Sequence, residues 1–190
     1  MREELRHFSR WGIMHHFPKF LVRADSKEEA IRLVEDFLSS YVPHKIDYFL
    51  ILDSDRVSDP VIWAKEVGVE KFIEIVEKKL EGARKFALES LFEALKILEE
   101  VKPDLMAFKT GLDMGAAEDL PPELCDKLSY ASYLLDEWSD WFWGSLTGCY
   151  FFFSYEDGSM GSGYHLPKDW KERVRAEPEK YWLITADYHT

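Results

Sequence analysis

The sequence predicts an α+β protein: a ferredoxin-like, split βαβ sheet of about four strands, with a large helical insertion between the second and third strands. Two observations lead to this prediction. The first is the segment Cys149–Tyr155, which carries no charge and has five aromatic residues, as expected of a strand covered on both faces. The second is the order of elements along the chain, which is strand, helix, strand, helices, strand, short helix, strand.

The first half of the sheet is predicted from a strand, a helix and a second strand. The segment Lys19–Ala24 has the composition of a strand. A helix is expected to follow, because Ser26 and Glu29 have capping-box spacing and apolar residues then recur with helical period as far as Pro43. The apolar segment Asp47–Asp53 is predicted to be a second, buried strand. A helical crossover allows these two strands to run parallel in one sheet.

Residues 59–147 are predicted to form the helical insertion, within a single domain that spans residues 1–190. Three helices are expected inside it: Pro60–Val67, Val69–Val101 and Pro121–Leu146. The apolar stripe of the long middle helix widens in its second half, which indicates packing on more than one side. We therefore expect the insertion to cover the sheet face that a ferredoxin-like fold leaves open.

The end of the chain completes the sheet. The glycine-rich segment Gly158–Gly163 is predicted to be a connecting loop, and Lys168–Ala176 a short helix. The apolar segment Tyr181–Asp187 is predicted to be the last strand, which leaves His189 as a loose terminal residue or as part of a site.

Charge and composition exclude some classes of function. The net charge is −12, which opposes non-specific binding to nucleic acid and to anionic membrane surfaces. The insertion carries most of it, since residues 59–147 contain 10 basic and 19 acidic side chains, a net −9. No apolar run is long enough to span a membrane, and the first residues lack the apolar core of an export signal. With only two cysteines, these features predict a cytoplasmic location.

Carboxylates and histidines near the predicted strand ends suggest a site for a divalent metal ion, the one cofactor that the sequence favours. Carboxylates just beyond a strand can point into a ligand-binding crevice, and histidines with carboxylates suit Zn²⁺ or Mn²⁺. The candidate ligands are Asp53, Asp55, His15, His16, Asp187 and His189. The alternative is a polar turn at the aspartates and surface hydrogen bonds at the histidines, because no established metal-binding spacing occurs.

The densest aromatic group lies near the end of the last inserted helix. Trp138 and Trp141 lie on one helical face, whereas Trp143 points elsewhere. They are candidates for binding a protein partner if Trp141 or Trp143 is exposed, because tryptophan often anchors interfaces. Three acidic residues are expected to rim this site and to favour a basic partner: Asp136, Glu137 and Asp140. The alternative is that all three tryptophans pack into the core.

No motif identifies a family or a catalytic mechanism, so the sequence leaves open whether the protein is an enzyme. The preferred prediction is a non-enzymatic binding or assembly module that acts through its helical insertion, on a protein partner or by self-association. The alternative is a divalent-metal-dependent hydrolase that uses Asp53, Asp55, Asp187 and His189. A third hypothesis is an acidic mimic of nucleic acid, with carboxylates spaced like duplex phosphates.

Overall fold

The computed structural model describes residues 15–42, 48–52, 61–107, 121–143 and 150–189, which form one mixed sheet and five α-helices. The strands are β1 (His15–His16), β2 (Lys19–Arg23), β3 (Tyr48–Ile51), β4 (Ile62–Trp63), β5 (Phe151–Ser154), β6 (Met160–Ser162) and β7 (Tyr181–His189). The helices are α1 (Lys27–Ser39), α2 (Ala64–Val67), α3 (Val69–Ala107), α4 (Pro122–Trp143) and α5 (Trp170–Ala176). The protein is therefore α+β, as predicted.

Strand β7 is the centre of the sheet and pairs antiparallel with four other strands. Strands β1 and β2 pair with β7 in one continuous register, with His15 opposite His189 and Lys19 opposite Thr185. They therefore lie along the same edge of β7. Strands β3 and β4 pair with the other edge. Beyond β2 the sheet continues with β5, which is parallel, and then β6, which is antiparallel.

The strand order differs from the ferredoxin-like arrangement, which the structure does not confirm. Strands β2 and β3 do run in the same direction on either side of an antiparallel strand, but that strand is the last one, β7. The third predicted strand, β5, pairs parallel with β2 instead. Parallel pairing requires a long connection, and the helices between β4 and β5 supply one.

Both faces of the sheet are buried at its centre, as the aromatic segment predicted. Phe151, Phe152 and Phe153 are almost inaccessible to solvent, and successive strand residues point to opposite faces. Helix α1 covers the face of Phe152, because the ring centroid of Phe37 lies 5.2 Å away. We assign the cover of the other face to α3 and α5, whose side chains complete the same core: Phe72, Ile73, Val76, Trp170 and Val174.

Local features explain where α1 begins and where α2 and α3 separate. The hydroxyl of Ser26 accepts a hydrogen bond from the Glu29 backbone N–H at 3.1 Å. The Glu29 carboxylate in turn accepts from the backbone N–H of Asp25, one residue before the position that the capping box predicts. Gly68 adopts a φ of +88°, which separates α2 from α3 as the sequence predicted.

Three predicted elements are corrected by the structure. The helix expected at Pro60–Val67 begins only at Ala64, because Ile62–Trp63 pairs with β7 and the Trp63 ring stacks on Trp182 at 5.1 Å. The helix α3 continues past Pro103 to Ala107, although proline removes one backbone donor and crowds the carbonyl of Glu99. Strand β3 is half-exposed, with Tyr48 and Leu50 facing solvent, whereas the sequence predicted a buried strand.

The glycine-rich segment predicted as a loop contains strand β6 instead. At Gly161 an added Cβ would lie 2.9 Å from the ring of Tyr155. At Gly163 it would lie 2.8 Å from Leu80 and 2.9 Å from Trp141. These glycines therefore permit close packing of aromatic rings and of the inserted helices, and no glycine-rich turn is needed to explain them.

Among the helices that the structure describes, none combines the length and the apolar character needed to cross a lipid bilayer. This agrees with the sequence, which has no long apolar run.

Candidate functional site: the two sides of helix α4

Helix α4 carries the residues that the sequence singled out for partner binding, and its two sides differ in chemistry. It begins at Pro122, where proline suits the first turn of a helix. Its C-terminal half lies against the end of the sheet where β5 begins, since Trp141 lies beside Gly163 and Glu137 interacts with Tyr150. One side of this half therefore faces solvent, and the other faces the sheet.

The outer side ends in an aromatic surface cluster, which we define as Trp138, Phe142, Trp143 and Tyr164. The Trp143 side chain is 74% exposed, and its ring lies 5.0 Å from that of Phe142 in an edge-on contact. Phe142 also contacts Tyr164 at 4.5 Å and Trp138 at 5.9 Å. Tyr164 is itself 52% exposed. Neighbouring rings thus support a large indole that remains in water, which is typical of an interface anchor.

The prediction for Trp141 needs correction. Its side chain is only 6% exposed, and its ring packs on Gly163. It therefore belongs to the core and supports the helix rather than offering a surface to a partner. The helical period explains the difference between Trp141 and Trp143. Side chains two positions apart on a helix point about 160° away from each other, so when Trp141 faces the sheet, Trp143 lies on nearly the opposite side.

A second exposed apolar group lies on α3. Leu88, Phe92 and Leu95 are all exposed and lie four and three residues apart, so they share one face of the helix. The second half of α3 runs beside α4, as shown by the ion pair between Glu100 and Lys127. The wide apolar stripe that the sequence showed in α3 is thus partly a solvent-facing surface in the described structure.

The acidic rim predicted around the tryptophans is also corrected. Asp136 is exposed, but Glu137 and Asp140 are only 1% and 8% exposed. Glu137 lies one helical turn before Asp140, and both turn away from solvent. Neither carboxylate oxygen of Glu137 has a hydrogen-bond partner among the residues that the structure describes. A buried carboxyl without a partner is costly in the charged form, so this residue is chemically unusual.

The surroundings of Glu137 favour its protonated form. Burial, which is the largest influence, and the charges of Asp140 and Asp136 together raise the pKa of Glu137 to about 7. The hydroxyls of Tyr133 and Tyr150 lie near the carboxyl and lower its pKa, but neither reaches good hydrogen-bonding geometry. Burial and the Glu137 charge in turn raise the pKa of both tyrosines. Near neutral pH, Glu137 is thus poised between two charge states.

The sheet contributes a histidine to this region. His16 of β1 is buried, its Nδ1 lies 3.2 Å from the hydroxyl of Tyr150, and its ring stacks on Tyr188 at 4.8 Å. Tyr150 thus lies between His16 of the sheet and Glu137 of α4. His16, predicted as a metal ligand, is accounted for here as a buried polar residue of the core. The sequence carries no clear signal for this cluster, because a glutamate beside Asp136 on a helix is usually solvated.

The other predicted metal ligands are placed only in part. Strands β1 and β7 are adjacent, with His15 and His189 as backbone partners, but their side chains lie outside the described part of the structure. Asp53 and Asp55 also lie outside it. Asp187 is half-buried on β7. Within the described residues, no three side chains of histidine, cysteine, aspartate or glutamate are grouped so that they could hold a metal ion. The metal site stays a prediction.

Many carboxylates of the inserted helices are paired with basic side chains. Pairs three or four residues apart on α3 include Lys71 with Glu74 and Lys85 with Glu89. Further pairs link α3 to other helices: Glu70 with Arg175, Glu77 with Lys171 and Glu100 with Lys127. This distribution argues against a mimic of nucleic acid, which needs rows of uncompensated acids.

A shallow cleft lies at the opposite end of the sheet, where β2 and the parallel strand β5 end. It has a volume of about 280 Å³, and Arg23, Asp25, Glu29, Glu156 and Asp157 are among its lining residues. Several of these side chains already have partners, including Arg23 with Glu177 and Glu156 with Arg173. The cleft is therefore a weaker candidate than α4.

Comparison with protein-family models, with curated proteins and with solved structures finds no match for this chain. Its function has to be argued from the chemistry of the surface and the cluster described above.

Proposed function

We propose that this protein is a non-enzymatic binding module that recognises a basic protein surface through its inserted helices. The observation that carries the proposal is the aromatic surface cluster, in which Trp143 is 74% exposed yet contacts Phe142, which in turn packs on Tyr164. A side chain that is already ordered loses little conformational freedom on binding, which favours its use as an anchor.

Charge supports a basic partner rather than an acidic one. Residues 59–147, which contain α3 and α4, carry a net charge of −9. The exposed carboxylate of Asp136 lies two turns before Trp143 on the same side of α4. Long-range attraction to a positive partner would speed association, and salt would weaken it. A cytoplasmic location remains part of this proposal.

The test uses peptides of defined composition. Lysine-rich peptides that carry leucine and aromatic anchors are compared with acidic peptides that carry the same anchors, and binding is measured by fluorescence anisotropy. We expect the basic peptides to bind. Trp143→Ala should weaken their affinity by roughly thirtyfold, or about 2 kcal/mol. Tyr48→Ala is the matched control, because Tyr48 is a comparably exposed aromatic residue on β3.

Two results would contradict the proposal. One is equal binding of basic and acidic peptides, which would mean that charge does not select the partner. The other is an equal effect of Trp143→Ala and Tyr48→Ala, which would mean that the aromatic surface cluster is not the anchor. Self-association is checked by light scattering, and a dimer that Trp143→Ala dissociates would identify a second copy as the partner.

The second candidate function is the metal-dependent hydrolase with Asp53, Asp55, Asp187 and His189 in its site. The observation that favours it is the backbone pairing of His15 with His189, which brings the two histidine-bearing strands together.

A further inference from the structure

The least expected feature of the molecule is an acid buried where α4 meets the sheet. Glu137 is 1% exposed, and neither of its oxygens has a hydrogen-bond partner among the described residues. The charged groups that act on it most strongly, Asp140 and Asp136, are both acids. These acids would not compensate its negative charge. Helix α4 can therefore stay packed against the sheet without a large cost in free energy only while the Glu137 carboxyl is protonated.

The titratable groups described around Glu137 and its neighbours come from α4, from the sheet and from the end of α1. Helix α4 itself contributes Tyr133, Asp136 and Asp140. The residue before β5 contributes Tyr150, which also contacts His16 of β1. Tyr188 of β7 stacks on that histidine, and Tyr41, just after α1, interacts with Asp140. The cluster thus joins α4 to three strands and to the end of α1.

We propose that Glu137 is a proton-controlled latch, which holds the C-terminal half of α4 against the sheet when it is protonated and loosens it when it is ionised. Ionisation places a negative charge beside Asp140 and Asp136, the charged groups that act most strongly on Glu137 within the described structure, so water must enter between α4 and the sheet. Because Trp138, Phe142 and Trp143 follow on the same half-helix, loosening would also disturb the aromatic surface cluster. This last consequence rests on the binding function proposed above, whereas the latch does not.

The experiment is hydrogen exchange of the full chain, measured by mass spectrometry from about pH 5.5 to about pH 8.5 and corrected for the intrinsic pH dependence of exchange. We expect peptides from α4 to lose protection by roughly tenfold or more, with a midpoint near neutral pH, while peptides from α1 keep theirs. Glu137→Gln, which cannot ionise, should keep α4 protected throughout. Asp126→Asn, at an exposed acid of α4 that is not among the groups acting on Glu137, is the control and should behave as the wild type does.

The latch is overturned if α4 in the wild type has the same corrected protection across this range, or if Glu137→Gln retains the pH dependence. If Glu137→Gln does not fold, the wild-type carboxyl is followed by carbon-13 NMR. A Glu137 carboxyl that titrates at the ordinary value of 4.5 overturns the proposal, and one that titrates near 7 supports it. No binding partner is needed, so the latch can fail while the peptides bind, and the reverse can also occur.

Discussion

At the scale of single residues, glycine packing decides how closely the inserted helices approach the sheet. An added Cβ at Gly163 would meet Leu80 at 2.8 Å and Trp141 at 2.9 Å, whereas one at Gly82, on α3, would meet nothing within 4 Å. The two glycines therefore have opposite roles: one permits a contact, and the other only lowers the helix propensity of α3.

We expect Gly163→Ala to destabilise the protein by about 1–3 kcal/mol, because the core would be overpacked. Gly82→Ala is the control and should stabilise it by up to about 1 kcal/mol, since alanine favours a helix more than glycine does. Chemical denaturation measures both. Equal effects of the two substitutions would show that α4 and Leu80 do not pack on Gly163.

The pH dependence of stability follows from the buried carboxyl. The pKa of Glu137 rises from 4.5 to about 7 on folding, so the folded state holds this proton more tightly than the unfolded chain does. Its contribution is therefore full below pH 4.5 and is lost as the pH rises to about 7. The loss has an upper bound of about 3 kcal/mol.

Glu137→Gln should remove this loss between about pH 4.5 and pH 7. Denaturation curves of the variant and the wild type, taken across that range, measure the difference. The carboxylates in ion pairs do not interfere, because lysine or arginine partners lower the pKa of Glu70, Glu74 and Glu100, and their effects appear at lower pH. This account would be contradicted if the stability of the wild type and that of Glu137→Gln changed by the same amount between pH 4.5 and pH 7.

At the scale of elements, the apolar strand β5 shows what the sequence could predict. Burial of Phe151, Phe152 and Phe153 follows from the absence of charge at successive positions, because no face is left for water. The cap at Ser26 and the break at Gly68 could also be predicted, because each depends only on residues that are close together in the sequence. Signals carried by a few neighbouring residues were therefore sufficient for most helices and strands.

Pairing between strands could not be predicted in this way. The sequence does not show that β7 would pair with four strands, or that Trp63 would stack on Trp182 and draw Ile62–Trp63 into the sheet. Nor does it show that Glu137 faces inward, because a glutamate beside Asp136 on a helix is usually solvated. Each of these features depends on contacts between residues distant in sequence.

The core and the exposed apolar stripe of α3 should respond differently to truncation. Phe152→Ala should cost about 3–5 kcal/mol, because a ring enclosed by Phe20 and Phe37 is removed from the core. Phe92→Ala removes the same ring from a position that is mostly exposed and should change the stability by at most about 0.5 kcal/mol. Chemical denaturation distinguishes them. A large loss for Phe92→Ala would mean that α3 is covered by another part of the chain.

At the scale of the whole molecule, the metal hypothesis makes a prediction that needs no substrate. If Asp53 and Asp55 join His15 and His189 in a site, Mn²⁺ or Zn²⁺ at about a hundred times its dissociation constant should raise the melting temperature by roughly 5 °C or more. Asp53→Ala should abolish the rise. No shift with either ion would contradict the hydrolase.

The account as a whole depends on how α4 is seated, with its aromatic end in water and Glu137 and Trp141 against the sheet. Hydroxyl-radical footprinting of the monomer compares two indoles of similar intrinsic reactivity that lie two residues apart. We expect Trp143, which is 74% exposed, to be oxidised much faster than Trp141, which is 6% exposed. Equal oxidation of the two, or faster oxidation of Trp141, would contradict the orientation of α4 on which both proposals rest.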